Sequence, residues 1–218
     1  SLTSLKYTNV KNKIWQEKLF SKSILNNKLQ SEKVDIYFAR ANILHKKKNY
    51  KESAQCLQLA NKLKITLKPT NAEILIKKSK VLLIESNKKV EPQKEYKKSP
   101  ESIFIVGMHR SGTTLVESII SMNKYVYDLG DTNILEESFI ESKKVNQRLD
   151  LAELYSRKVN NLIDKSTITT NKCTYNYQYA GIIASQIPNT KIIHCFRHPL
   201  DNIISLYRTN FIGQEYFS

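Results

Sequence analysis

The sequence predicts an α/β fold, a parallel sheet flanked by helices and preceded by an all-α, repeat-like N-terminal region. Two observations carry this prediction. From Ser102 onward, short apolar runs alternate with stretches of helical length, the pattern of parallel strands joined by crossover helices. Before Gly107 the chain has no glycine and shows repeated helical periodicity instead. The division into domains is drawn accordingly. Residues 1–95 form a helical region and linker, and residues 96–218 form an α/β domain.

The helical half opens near Lys13–Leu25. Val34–Lys46 and Tyr50–Leu63 are two amphipathic runs joined at Lys47-Lys48-Asn49, which predicts a helical hairpin. Tyr37, Ala41, Leu44, Tyr50, Leu57 and Ala60 fall near the large and small packing positions of a tetratricopeptide repeat, and the hairpin resembles one. Arg40 and Ser53 depart from that pattern, and an unspecialised hairpin fits it too. One repeat cannot bury its faces alone, so helices near Lys13–Leu25 and Asn71–Ile84 are expected to pack on it. Ser86–Ser102 is charged, carries Pro92 and Pro100, and reads as a linker.

In the second half, strands are predicted at Ile103–Val106, Tyr125–Leu129, Thr167–Thr170 and Lys191–Phe196, the last as a buried strand. Helices are predicted at Thr113–Ser121, Asn133–Val145, Leu151–Ile163, Tyr175–Gln186 and Asn202–Asn210. Pro188 closes the fourth of these and starts the turn into the final strand.

The most informative stretch runs from Ile103 to Glu117. An apolar strand stops at Gly107, a polar loop ends at Gly112, and a helix follows. Such a unit aims backbone N–H groups and a positive helix end at one point, which suits a phosphate. Its spacing is P-loop-like, matching the first part of G-x-x-x-x-G-K-[ST], but Thr113 stands in the lysine position. That argues against an ATPase or kinase, as does the lack of a Mg²⁺-binding acid on a second strand. The basic residue here is Arg110, a permanently charged fork for phosphate or sulfate oxygens. Ser111, Gly112, Thr113 and Thr114 supply N–H groups and hydroxyls, and Gly112 lets the chain approach the oxygens without a Cβ. An anion-binding turn without catalysis fits the same residues.

A second strand–loop–helix unit follows. Lys191–Phe196 leads into Arg197-His-Pro-Leu-Asp201, where Pro199 turns the chain sharply and Asp201 is placed to cap the next helix. Arg197 and Ser205 stand eight positions apart. A pairing of Arg197 with Asp201 is the alternative role for that arginine.

The stretches IFIVGMxRSGTTLVE, NKxxxNYxYxGxI and IPNTKIIHCFRHPLDNIISLY together resemble the sulfotransferases that use 3′-phosphoadenosine-5′-phosphosulfate (PAPS). They are most similar to the bacterial sulfotransferases fused to tetratricopeptide repeats, and next to the tyrosylprotein sulfotransferases. The resemblance covers roughly residues 101–218. It implies that Arg110 and the residues after it bind the 5′-phosphosulfate, and that Arg197 and Ser205 bind the 3′-phosphate. It also implies sulfuryl transfer from PAPS to an acceptor hydroxyl, with no metal. His45, His109, His194 and His198 have no metal-ligand spacing.

Within that resemblance, Asp131 in Leu129-Gly-Asp-Thr-Asn133 falls where relatives carry a glutamate base. Aspartate is shorter by one methylene, so its carboxylate sits roughly 1–1.5 Å further back, about one C–C bond. Asp131 also suits a helix N-cap, and Glu136 and Glu137 are further base candidates. Lys172 falls where relatives use a lysine to stabilise charge at the sulfuryl group, although Asn171 and Thr174 replace the flanking acid and proline. A surface lysine is its plainer role. Asn176 and Tyr179 follow at helical spacing on the acceptor side, while Tyr179, Ile182 and Ile183 also suit packing on the sheet. His109 replaces a proline and is set aside as incidental, and His194 as a core histidine. The departures at Asp131, Asn171 and Thr174 leave a second reading open, a weakened or inactive PAPS-binding module recruiting a protein partner through the helical repeat.

Composition bounds the rest. The formal net charge is +15, but the lysines are spread along Lys/Asn/Ile-rich sequence rather than gathered. They read as solvated helix faces, not a nucleic-acid surface. No run of about 18 apolar residues occurs, so no membrane span is expected. Cys56, Cys173 and Cys195 are scattered and read as free thiols of a cytoplasmic, bacterial protein. Relatives continue well beyond Ser218, so the C-terminus is expected to be truncated.

Overall fold

The computed structural model describes residues 10–69, 72–88, 101–144, 148–163 and 168–211. They group into two compact units, one of the described residues up to 72 together with 203–211, and one of the described residues between 73 and 202.

In the helical unit, α1 (Val10–Phe20) is followed by a 3₁₀ turn (Lys22–Leu25), then α2 (Gln30–Lys46) and α3 (Tyr50–Leu67). Helices α2 and α3 form the expected hairpin. Val34, Phe38, Ala41, Leu57 and Ala60 make its core, and the alanines let the backbones approach closely. The two residues that depart from the repeat pattern have local work instead. Arg40 donates to the carbonyls of Leu19 and Ser21 at 2.9 and 3.0 Å, placing its charge at the negative end of α1. Ser53 donates its hydroxyl to the Ala41 carbonyl at 2.8 Å. Tyr50, assigned a packing position from the sequence, is exposed and meets the His45 ring edge-on.

The sheet unit begins with α4 (Ala72–Ser86), expected to flank the hairpin. Its Leu82 is buried with the sheet core. Most of the predicted linker, residues 89–100, lies outside the described residues. Strands β1 (Glu101–Val106), β2 (Val126–Asp128), β3 (Ile168–Asn171) and β4 (Thr190–His194) follow. They lie in the order β2-β3-β1-β4, and every pairing is parallel. Helix α5 (Thr113–Ile120) connects β1 to β2, and α6 (Ile134–Ser142) and α7 (Leu151–Asn160) connect β2 to β3. A 3₁₀ turn (Thr174–Tyr179) and α8 (Ala180–Gln186) lead to β4, and α9 (Pro199–Tyr207) follows it. This is a mixed α/β fold with a four-stranded parallel sheet flanked by helices, as the alternating pattern predicts.

Strand β1 is central, so Phe104, Ile105 and Val106 are buried in succession, the near-continuous apolar run of a strand covered on both faces. Phe104 and Val106 pack with Leu135 and Phe139 of α6, Tyr155 and Val159 of α7, and Tyr179, Ile182 and Ile183. Asp150 and Glu153 start α7 with a reciprocal capping box, at 2.9 and 3.0 Å.

Three predictions differ from the structure. Strand β4 pairs only with β1 among the described residues, so it is an edge strand. Lys191, Ile192 and His194 are exposed, and His194 is not a core histidine. The helix expected from Tyr175 starts as a tighter 3₁₀ turn. Helix α9 begins at Pro199, not Asn202. Proline at the first position needs no N–H partner, and Asp201 sits inside the first turn rather than capping it. Of the predicted helix 133–145 and strand 167–170, Val145 and Thr167 lie outside the described residues.

Candidate active site

Parallel strands deliver their following loops to one edge of the sheet, where ligands of such folds bind. At that edge β1 ends and the chain turns through Gly107, whose φ is +152°. A Cβ there would stand 2.4 Å from the Cys195 carbonyl oxygen and 2.8 Å from Ser111 Oγ. Only glycine fits between the ends of β1 and β4.

The loop then curls through two left-handed residues, Arg110 at φ +70° and Gly112 at φ +101°. For arginine that conformation is strained, and left-handed residues in such turns form the N–H concavities that hold anions. Gly112 opens α5. A Cβ there would meet nothing within 4 Å, so the backbone angle, rather than a close neighbour, is what calls for glycine in this structure. Ser111 Oγ is buried and makes no hydrogen bond among the described residues. A phosphate or sulfate oxygen would fit that orphaned hydroxyl and the N–H groups beside it. Thr113 is buried and Thr114 exposed.

The loop after β4 runs beside the first. The Arg197 guanidinium donates to the Arg110 carbonyl at 3.2 Å, so two predicted anion-binding residues on neighbouring strands come together. Among the described residues no ion pair joins Arg197 to Asp201. Ser205 lies in the second half of α9, which groups with the helical unit.

The candidate catalytic pair also meets. Asp131 follows β2 and Lys172 follows β3, and Asp131 Oδ2 lies 3.7 Å from Lys172 Nζ. The lysine side chain is only 13% exposed against 58% for the aspartate, so this lysine is not a solvated surface residue. Asp131 is not a helix cap, because α6 starts at Ile134 with Asn133 in the cap position. Of the other base candidates, Glu136 pairs with Lys78 and Glu137 lies 3.5 Å from Lys158. Asn171, where relatives carry an acid, is buried. Its Oδ1 accepts from Asn176 Nδ2 at 2.8 Å and from the Cys173 N–H at 3.3 Å, which fixes the turn that presents Lys172. Tyr179, Ile182 and Ile183 are buried in the core, the packing role given as their alternative.

Two further residues belong to the site. His109 Nε2 lies 2.8 Å from Thr174 Oγ1, and its ring meets Tyr175 edge-on at 5.2 Å. Burial pushes its pKa down, with Asp131 pulling it up and Lys172 down again. The histidine set aside as incidental thus joins the loop after β1 to the turn after Lys172. Glu117 is a buried carboxyl on α5, hydrogen-bonded by Thr170 Oγ1 at 3.2 Å. Burial, then its hydrogen bond and charge contact with Asp128, push its pKa up to about 7. Nothing in its spacing set it apart from a solvated helix acid. Only its place one turn beyond the loop hinted at more.

The three free thiols are distributed as the sequence suggests, with Cys173 and Cys195 buried and Cys56 half-buried. Among the described residues no group of His, Cys, Asp and Glu is arranged to hold a metal ion, and no helix is long and apolar enough to cross a membrane.

Comparison with known proteins adds an independent line. A model of the sulfotransferase family matches residues 133–218, a stretch that contains Lys172, Arg197 and Ser205 and begins just after Asp131. An uncharacterized protein of Aquifex aeolicus (strain VF5) is 28% identical over 202 residues, covering 82% of this chain and 26% of that protein. The chain therefore spans about a quarter of the length of the curated relative it matches. No solved structure matches. The C-terminal part of the chain is thus similar to the sulfotransferase family.

Proposed function

We propose that the protein transfers a sulfuryl group from PAPS to an acceptor hydroxyl by in-line displacement. The observation that carries this is the 3.2 Å bond from Arg197 to the Arg110 carbonyl. It sets two phosphate-suited loops side by side, as a donor with phosphate at both ends requires. The 5′-phosphosulfate falls to Arg110, Ser111, Gly112, Thr113 and Thr114, and the 3′-phosphate to Arg197 and Ser205.

In the transfer the acceptor oxygen forms a bond to sulfur while the bond from sulfur to the bridging oxygen of the 5′-phosphate breaks. Adenosine 3′,5′-bisphosphate leaves. The acceptor proton goes to the Asp131 carboxylate, a base that works only within hydrogen-bond reach. Lys172 and Arg110 lie against the charge that develops on the sulfuryl and leaving oxygens. The pairing of Asp131 with Lys172 and the fixed turn at Asn171 favour a working site over a decayed one. The scheme needs no metal, and scattered free thiols fit a cytoplasmic setting. The helical hairpin, similar to a tetratricopeptide repeat, is the surface assigned to a protein partner.

Thermal unfolding tests the donor. Adenosine 3′,5′-bisphosphate at about 100 times its Kd should add about 2.7 kcal/mol of stability, and ATP with Mg²⁺ much less. Arg197→Ala with Ser205→Ala should abolish the difference. Equal responses to both nucleotides would sink the PAPS reading.

A further inference from the structure

Helix α5 buries an acid and exposes its aliphatic side chains. Glu117 is 3% exposed, whereas Leu115 and Ile119 are 66% and 59% exposed. The Glu117 carboxyl is therefore held inward by specific partners. Thr170 of β3 donates to its Oε1, and Asp128, the last residue of β2, shares a hydrogen bond with it.

From Asp128 the contacts lead to the candidate base. Asp128 Oδ1 accepts the Gly130 N–H at 2.6 Å, closing a side-chain turn with Gly130 at φ +64°. The Leu129 N–H donates to the Thr170 carbonyl at 2.9 Å, and the Lys172 N–H donates to the Gly130 carbonyl at 3.1 Å. Asp131 is the next residue. The turn that carries it is thus tied to β3 by its backbone and to α5 by one carboxyl–carboxyl contact.

We propose that Glu117 is a positioning residue, which donates a proton-bearing carboxyl to Asp128 and so holds the Gly130–Asp131 turn opposite Lys172. This rests on the proposed roles of Asp131 and Lys172. Two carboxyls in hydrogen-bond contact cannot both ionise without repulsion. The buried partner, Glu117, keeps the proton, while Asp128 lies at the surface. The charged groups facing Glu117 are Asp128 from β2 and Lys172 from beyond β3, with the Thr170 hydroxyl from β3. When Glu117 loses its proton, the contact turns repulsive and the turn is released. The geometry of the base is then set by pH through a residue that never touches substrate.

The test uses the ligand-free full chain, so it stands apart from the identity of the donor. A carbodiimide joins Asp131 to Lys172 as an amide, and peptide mass spectrometry reads the yield. The exposed Lys28–Glu32 pair at 2.8 Å is the reference within each sample. Titration of Glu117 near 7 should lower the normalised yield roughly tenfold between about pH 6 and about pH 8. Glu117→Gln keeps a neutral donor of the same shape, so its yield should stay high and flat over that range. Asp128→Asn, which removes the repulsion, should also be flat and serves if Glu117→Gln fails to fold. A wild-type yield without the fall, or the same fall in Glu117→Gln, overturns the proposal. Loss of yield at every pH in a folded Glu117→Gln also overturns it, since a packing role alone would then explain the residue. The bisphosphate thermal shift reports on the donor reading separately.

Discussion

Glu117 gives the molecule a pH-dependent stability whose sign is fixed. Its carboxyl is raised from 4.5 to about 7 in the fold, so between those values the folded state binds more protons than the unfolded chain. The stabilisation is full below about pH 4.5 and is lost as pH rises through about 7. The swing is on the order of 3 kcal/mol for a shift of this size. Urea unfolding across that range should show stability falling with pH in the wild type, and a much smaller slope in Glu117→Gln. The candidate site was legible residue by residue where chemistry marks the chain. Arg110 and Arg197 stand in loops that glycine and proline announce, whereas Lys172 was singled out by the resemblance alone. Glu117 and His109 were not legible, because each owes its role to a partner far along the chain, Thr170 and Thr174 respectively.

At the scale of elements, the helical hairpin depends on small residues where α2 and α3 cross. Ala60 is fully buried and Ala41 nearly so, leaving no room for a longer side chain. Ala60→Leu should cost about 1–3 kcal/mol by overpacking, read as a lower midpoint in thermal unfolding. Element type was largely legible from periodicity, and so was the order of strands and helices. Strand position was less so. The apolar run Lys191–Phe196 reads as a buried strand, yet β4 lies at an edge. Hydrophobicity along one segment does not reveal how many neighbours a strand acquires. The start of α9 at Pro199 was missed because the proline was read as an exit from the strand, when its fixed φ also begins a helix.

Over the whole molecule, a formal net charge of +15 would attract a polyanion such as the proposed donor from a distance. Raising salt from about 0.1 M to about 1 M shortens the Debye length from about 10 Å to about 3 Å. Calorimetry should therefore find the affinity for adenosine 3′,5′-bisphosphate weakened about tenfold over that interval. A flat salt response would mean that the contacting arginines alone set the affinity. The fit between Gly107 and the Cys195 carbonyl carries a different consequence, one of order in time. The first loop's own strand is made nearly ninety residues before the strand end against which its glycine is pressed. Closing so long a segment is slow compared with local helix formation. On the ribosome the loop at Gly107 takes its final shape only after Cys195 has emerged. The final shape of this loop thus waits on a segment made nearly ninety residues later.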